Sequence, residues 1–279
     1  MIEFLIGHFQ DAYKIAVLSR GYKRKTKGFR IATKESTVEE LGDEPFQIHS
    51  KFPKVKIAVD ANRTRGIHTL KKRVDPQVIL LDDGFQHRKV RPGYSILLTS
   101  YLELFTDDWY LPTGNLRDSK KEARRANLIV VTKCPFHMGQ KERENIVKQV
   151  NSYGGQPVLF SGLSYGLPTG RTKTISWEDL KNIKVTLVTG IAQPTPLVSF
   201  LKDKGLVFEH LQFRDHHYFT ENELRIFSSK ECILTTEKDY VRLNSKLDNL
   251  YYLPVRHEFL FNGEAVLRAE WDEFMRQSS

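Results

Sequence analysis

Cysteine is scarce: Cys134 and Cys232 are the two in 279 residues, far apart and without the spacing of a metal-ligand pair. That excludes a disulfide framework and a cysteine-based zinc module, and both read as reduced, structural thiols of a cytosolic protein. No stretch approaches the roughly 20 consecutive apolar residues that cross a bilayer. The opening MIEFLIGHFQDAYKIAVLSRGY has neither a charged n-region nor a small-residue cleavage site, so secretion through a signal peptide is not expected. No repeat recurs at a fixed period, which excludes a solenoid. Also missing is any G-x-x-x-x-G-K-S/T run, the loop whose amides and lysine cradle phosphates in P-loop proteins.

Acidic residues are the minority, 34 Asp and Glu against 43 Lys and Arg, and the net charge of +9 points to anionic partners. Nucleic acid is not expected among them, because the chain lacks the aromatic-basic interleaving of an RNA-binding sheet and any helix-turn-helix or zinc signature. Anionic lipid and phosphorylated small molecules remain.

What is present is an ordinary globular composition, 40% apolar and 28% charged. A chain of this length lies near the ~250–300 residues at which single cores stop growing, so two domains are expected. Short apolar runs alternate with amphipathic stretches, the pattern of βαβ units and a mainly parallel sheet. The strand expectations are 14–18, 55–59, 78–81, 94–98, 127–132, 157–160, 184–189, 206–213, 232–235 and 250–255. Helices are expected at 45–51, 63–72, 139–153, 195–204, 221–228 and 264–275. The glycine-bearing stretch 161–182 reads as a linker between a core at 1–160 and a second α/β domain at 183–279.

The sharpest chemical segment is Val78-Ile79-Leu80-Leu81-Asp82-Asp83-Gly84-Phe85-Gln86-His87-Arg88. An apolar run ending in paired carboxylates puts Asp82 and Asp83 at the carboxyl end of a strand, where open α/β sheets place their ligand crevice. Such a pair organises Mg²⁺ in a phosphoryl-transfer enzyme, or it merely closes the strand as an Asp-Asp-Gly turn. In Gly42-Asp43-Glu44-Pro45, an acidic residue sits where a helix begins; it is either an N-cap or a carboxylate able to accept a proton from a hydroxyl. Asp215-His216-His217, flanked by aromatics, offers a carboxylate that can orient an imidazole; the alternatives are a satisfied core histidine and, less favoured for want of a third ligand, zinc. Three further runs, around Arg20 and Tyr22, around Arg117 and Asp118, and around Lys238 and Arg242, put cations at strand ends or in Gly-bearing loops, where they can grip phosphate.

In this order the runs LSRGYKRKTKGF, GDEP, LDDGFQHR, LPTGNLRD, TGIAQP, FRDHHYF and TTEKDYVRL resemble those of the tetraacyldisaccharide 4′-kinases over nearly the whole chain. The resemblance implies a P-loop-kinase-like α/β fold, with a mainly parallel sheet, helices on both faces and a smaller C-terminal α/β domain closing over the site. It implies transfer of the ATP γ-phosphate, with Mg²⁺, onto the 4′-hydroxyl of a lipid A disaccharide 1-phosphate. The implied location is the anionic cytoplasmic face of the inner membrane.

Residue by residue, the resemblance implies that Asp43 is the catalytic base and His216 its partner. It puts Arg20, Tyr22, Gln86 and His87 near the nucleotide, Asp82, Asp83 and Asp118 near the metal, and Arg88, Arg117 and Lys238 near the lipid substrate. Asp118 is a departure, since the family usually shows glutamate there. The family's Gly-rich loop precedes the helix that leads into the Ser-Arg-Gly-Tyr strand, whereas this chain opens inside that helix; its first strand and P-loop are missing. These 279 residues are therefore expected to transfer phosphate weakly or not at all, the rival reading being a lipid-disaccharide-binding protein without activity.

Overall fold

The structure, a computed structural model, describes residues 1–278. Along the chain the elements are α1 (Ile2–Phe9), β1 (Ile15–Ser19), β2 (Arg30–Ile31), α2 (Val38–Leu41), α3 (Asp43–Lys51), β3 (Lys56–Val59), α4 (Arg63–Arg73), β4 (Val78–Leu81), β5 (Ile96–Ser100), β6 (Leu128–Thr132), α5 (Gln140–Val150) and β7 (Val158–Tyr165). They continue as α6 (Trp177–Lys181), β8 (Val185–Thr189), α7 (Thr195–Asp203), β9 (Phe208–Gln212), α8 (Glu221–Ser228), β10 (Cys232–Thr236), α9 (Glu237–Leu243), β11 (Leu250–Leu253), β12 (Val255–Phe259) and α10 (Gly263–Ser278).

Two compact units result. The first is built from Ile2–Asp82 and Tyr165–Val255, the second from Asp83–Ser164 and the chain from Arg256 onward. The expected division at a 161–182 linker does not describe them. That stretch holds the end of β7 and helix α6, and Thr169 exchanges backbone hydrogen bonds with Tyr252 beside β11 (2.8 and 2.9 Å). Glycine and proline density marks local breaks in periodicity, but it is blind to a chain that leaves one unit and returns to it.

The first unit carries two four-stranded sheets, ordered β2-β3-β1-β4 and β11-β10-β8-β9. β1 runs parallel to β3 and β4, β2 is antiparallel to β3, and the pairings of β8, β9, β10 and β11 are all parallel. The second unit holds the order β12-β7-β6-β5, with β5, β6 and β7 parallel. This is the α/β architecture with mainly parallel strands that the alternating pattern implied. β1, β6 and β8 are buried at every position, which explains why they read as unbroken apolar runs rather than alternating ones.

Helix ends account for one cluster of cations. α1, α3 and α4 finish around a cavity of about 480 Å³ lined by Lys14, Lys54, Lys56 and Arg73. Cations there offset the partial negative charge of helix carboxyl ends, so this cluster has a structural explanation. At the other end of β3, the buried Asp60 takes both forks of Arg65 at 2.8 Å, which holds its carboxyl below the usual range against the opposing effect of burial.

Candidate active site

The site grows from the carboxyl ends of parallel strands in the first unit. Ser19, the last residue of β1, donates its hydroxyl to Asp82 Oδ2 just past β4 at 3.1 Å, tying the two strand ends together. Beyond Ser19 the chain turns through Gly21 (φ 69°) and passes against Gly42 (φ 92°) at the start of α3. A Cβ on Gly42 would lie 2.8 Å from the Tyr22 carbonyl oxygen and 3.5 Å from Gly21 Cα. The two loops thus pack backbone to backbone, and the glycines of Ser-Arg-Gly-Tyr and Gly-Asp-Glu-Pro are two sides of one contact.

Gly42, not Asp43, caps α3, and no side chain makes the cap hydrogen bond. The Asp43 carboxylate is turned away from the helix. His216 Nδ1 donates to its Oδ2 at 2.7 Å, with both side chains about 14% exposed. Arg242 Nη2 lies 3.1 Å from the same oxygen, on a side chain only 7% exposed. The Tyr22 ring stands edge-on to the His216 ring at 5.6 Å.

The remaining partners come from α9, a helix where a cation-bearing loop is expected from the sequence. Thr236 caps it, its hydroxyl accepting from the Asp239 amide and donating to Asp239 Oδ2. The fully buried Asp239 also takes the Gly190 amide at 2.8 Å, and Arg242 stands 3.6 Å from its other oxygen. Lys238 and Arg242, four residues apart, share a face of the helix. Lys238 Nζ donates to His216 Nε2 at 3.0 Å, and it also faces Asp215 (3.3 Å) and Glu44 (3.9 Å).

A lysine ammonium has only donors, so His216 Nε2 accepts and Nδ1 carries the proton given to Asp43. The tautomer of His216 is thereby fixed from both sides. The Glu44 carboxyl sits above the ordinary range, raised first by lost solvation at its end and then by the charge of Asp82, while Lys238 and His216 pull the other way. Most of the Glu44 side chain remains exposed (60%), so solvent screens this coupling.

Of the residues singled out from sequence, Tyr22, Asp43, Asp82, His216 and Lys238 are thus brought together, and Arg20 stands exposed where β1 ends. Asp83, exposed at φ 48°, opens the second unit. There Gln86 and Arg117 are exposed, and His87 Nδ1 is buried with no hydrogen-bond partner. Arg88 reaches Asp118 at 2.8 Å and Glu122 at 3.5 Å, so Asp118 is engaged by a cation. Among the described residues no group of three or more His, Cys, Asp or Glu side chains converges as a metal cage. Asp82 lies in the first unit, and Asp83 and Asp118 lie in the second. Sequence reasoning missed Asp239 as a site residue and gave Arg242 a phosphate-gripping place rather than one beside Asp43; the available signal was Thr236 three residues before Asp239, a helix start with its polar face set by the cap.

Residues 1–274 match the family model described as tetraacyldisaccharide-1-P 4′-kinase. The tetraacyldisaccharide 4′-kinase of Flavobacterium johnsoniae is 47% identical over 266 residues, covering 93% of this chain and 78% of the relative. That of Bacteroides thetaiotaomicron is 41% identical, covering 99% and 80%. Among solved structures, LpxK from Aquifex aeolicus, crystallised in complex with ATP, superposes with a TM-score of 0.77 at 27% identity, over 98% of this chain and 82% of that one.

Proposed function

Because this chain belongs to the tetraacyldisaccharide 4′-kinase family, we propose that it moves the γ-phosphate of ATP onto the 4′-hydroxyl of a lipid A disaccharide 1-phosphate, in the assembly of lipid A. The observation that carries this reading is the Asp43–His216 pair, with Asp43 Oδ2 accepting a hydrogen bond from His216 and facing the Arg242 guanidinium, and Oδ1 without a hydrogen-bond partner among the described residues. A sugar hydroxyl is a weak nucleophile, and phosphoryl transfer is won by positioning and by neutralising charge. Asp43 receives the hydroxyl proton as the oxygen attacks the γ-phosphorus and ADP departs.

His216, with its proton on Nδ1, restrains the carboxylate; Lys238 fixes the ring from the far nitrogen. Arg20 and Tyr22 are assigned to nucleotide and substrate, as are Gln86 and His87. Asp82 and Asp83 supply the hard oxygen donors that suit Mg²⁺, which when bound neutralises charge on the phosphates. Arg88 and Arg117 are assigned to the anionic lipid.

A peripheral place on an anionic membrane belongs to the same reading. No helix among the described residues is long and apolar enough to span a bilayer. In the basic loop after Tyr22, Arg24 is directed inward to the Gly28 and Val59 carbonyls, leaving Lys23, Lys25 and Lys27 as the exposed cations, of which Lys25 pairs with Glu39. Attraction through such charges falls with salt.

The test is to incubate the purified protein with ATP, Mg²⁺ and a lipid A disaccharide 1-phosphate and to locate any new phosphate by mass spectrometry and NMR. A phosphomonoester at the 4′ position is expected. Tight binding of the lipid with no transfer at any ATP concentration, or phosphate appearing elsewhere on the sugar, overturns it.

A further inference from the structure

His216 and Arg242 approach one and the same oxygen of Asp43. The imidazole Nδ1 lies 2.7 Å from Oδ2 and the guanidinium Nη2 3.1 Å from it, while Oδ1 has no hydrogen-bond partner among the described residues. A carboxylate held at one oxygen from two directions loses its rotational freedom about χ2, and its second oxygen acquires a fixed direction. We propose that Arg242 is a positioning residue for Asp43, setting Oδ1 as the oxygen that meets the acceptor hydroxyl. The proposal rests on the reading of Asp43 as the proton acceptor. In the step it serves, the hydroxyl O–H breaks and its proton passes to Asp43 Oδ1; the hydroxyl oxygen bonds to the γ-phosphorus as the bond to the β-γ bridging oxygen breaks, and that electron pair leaves with ADP.

The placement of Arg242 is well determined. It lies on α9, one turn beyond Lys238, and α9 starts at a cap built by Thr236 and Asp239. Its Nη1 donates to the His217 carbonyl at 2.7 Å, so the residue that steadies Asp43 also ties down the loop presenting His216. Asp239, fully buried and 3.6 Å away, balances the guanidinium charge on its other side. At 7% exposure the side chain has no room to swing to solvent. Its Nε and Nη2 make no aligned hydrogen bond, so the contact with Asp43 acts by charge and proximity from a group fixed elsewhere. An arginine needed only to brace the His217 loop would have no need to face Asp43.

The deciding experiment is proton and ¹⁵N NMR of the histidine ring in the 279-residue protein, which needs no turnover. The wild type should show a protected, downfield Nδ1–H resonance for His216, assigned by its loss in Asp43→Asn and His216→Gln. Arg242→Lys, which keeps the charge, should retain it. Arg242→Gln, verified as folded by circular dichroism, should broaden it by exchange or move it upfield, because the carboxylate regains its freedom. A folded Arg242→Gln protein with the wild-type resonance intact, or loss in Arg242→Lys equal to that in Arg242→Gln, overturns the proposal in favour of a purely structural arginine. Separately, wild-type turnover by Asp43→Asn would refute the role of Asp43 as base while leaving the Arg242 contact as the resonance reports it.

Discussion

His216 donates its Nδ1 proton to Asp43 across 173 residues of sequence. Asp43 opens α3 at the packed Gly21–Gly42 crossing, and His216 follows the carboxyl end of the parallel strand β9 in the same unit. His216 takes a left-handed backbone conformation (φ 60°), secured by its amide's hydrogen bond to the Gly190 carbonyl at 3.1 Å. A strained backbone at the residue that contacts Asp43 is what a site built for geometry rather than stability shows.

The Gly21–Gly42 crossing is the first place to test that geometry. Gly42→Ala puts a Cβ 2.8 Å from the Tyr22 carbonyl oxygen, at a φ of 92° that side chains resist. A loss of roughly 1–3 kcal/mol is expected, read as a lowered urea midpoint. Because the displaced neighbour is the Tyr22 loop and the helix begins at Asp43, kcat should fall further than stability alone accounts for. Gly28→Ala, also at positive φ (75°) but with open space around its Cβ, is the control and should spare kcat.

Much of this was legible in the sequence because parallel strands buried on both faces appear as apolar runs. β4 falls where expected at Val78–Leu81, and α8 at Glu221–Ser228 is announced by its Thr220–Glu223 capping box. The Asp43–His216 pairing came from the resemblance, since nothing local in either run points to the other. α9 was hidden because Thr235-Thr236 continues the β10 pattern directly into a seven-residue helix, leaving no loop to mark the change. Composition reveals charge but not direction: the Arg24 guanidinium, in a run rich in cations, spans two backbone carbonyls.

The buried end of α9 gives a pH prediction. Lys51 is shared between Glu3 (2.6 Å) and Glu237 (2.9 Å), one cation for two carboxylates. Burial acts against the Lys51 charge, but the two acids outweigh it and raise its pKa; Glu237, 7% exposed, is also pushed up, chiefly by burial, with Lys51 only partly offsetting. A carboxyl raised in the folded state contributes stability below its unfolded value, here 4.5, and loses it as pH climbs through the folded value. Glu237→Gln cannot titrate, so its stability relative to wild type should increase as pH rises through that window. A difference that is flat or falls from pH 4.5 upward would show that the ion pair with Lys51 dominates.

The second unit has the opposite dependence. His257 in β12 accepts from, or donates to, the buried Ser161 hydroxyl at 3.0 Å, and burial pushes its pKa down to about 3. A group depressed in the folded state contributes stability above its unfolded value, 6.5, and loses it as pH falls toward 3. Hydrogen exchange of β6 and β7 should accelerate on acidification through this range beyond the intrinsic rate, and His257→Gln should remove that part of the dependence. Equal acid sensitivity in both proteins would place the cause elsewhere.

The strongest test of the site is the double-mutant cycle on Asp43 and His216. If the pair acts as one unit, Asp43→Ala should lower kcat by about 10² to 10⁴, the usual range for losing general-base help, with the KM for ATP nearly unchanged. Asp43→Asn keeps the volume and an acceptor oxygen but removes the basicity, and it should be almost as slow. His216→Ala leaves the carboxylate held by Arg242 alone, so its loss should be smaller than that of Asp43→Ala. Groups that work through one another give non-additive effects, and the double Ala variant should therefore cost little more than Asp43→Ala by itself. Independent structural roles predict instead that the two losses multiply and that cooling or a stabilising osmolyte restores activity. Single variants with near-normal kcat would remove Asp43 and His216 from the reaction, whereas multiplied losses would separate them into two unrelated contributions.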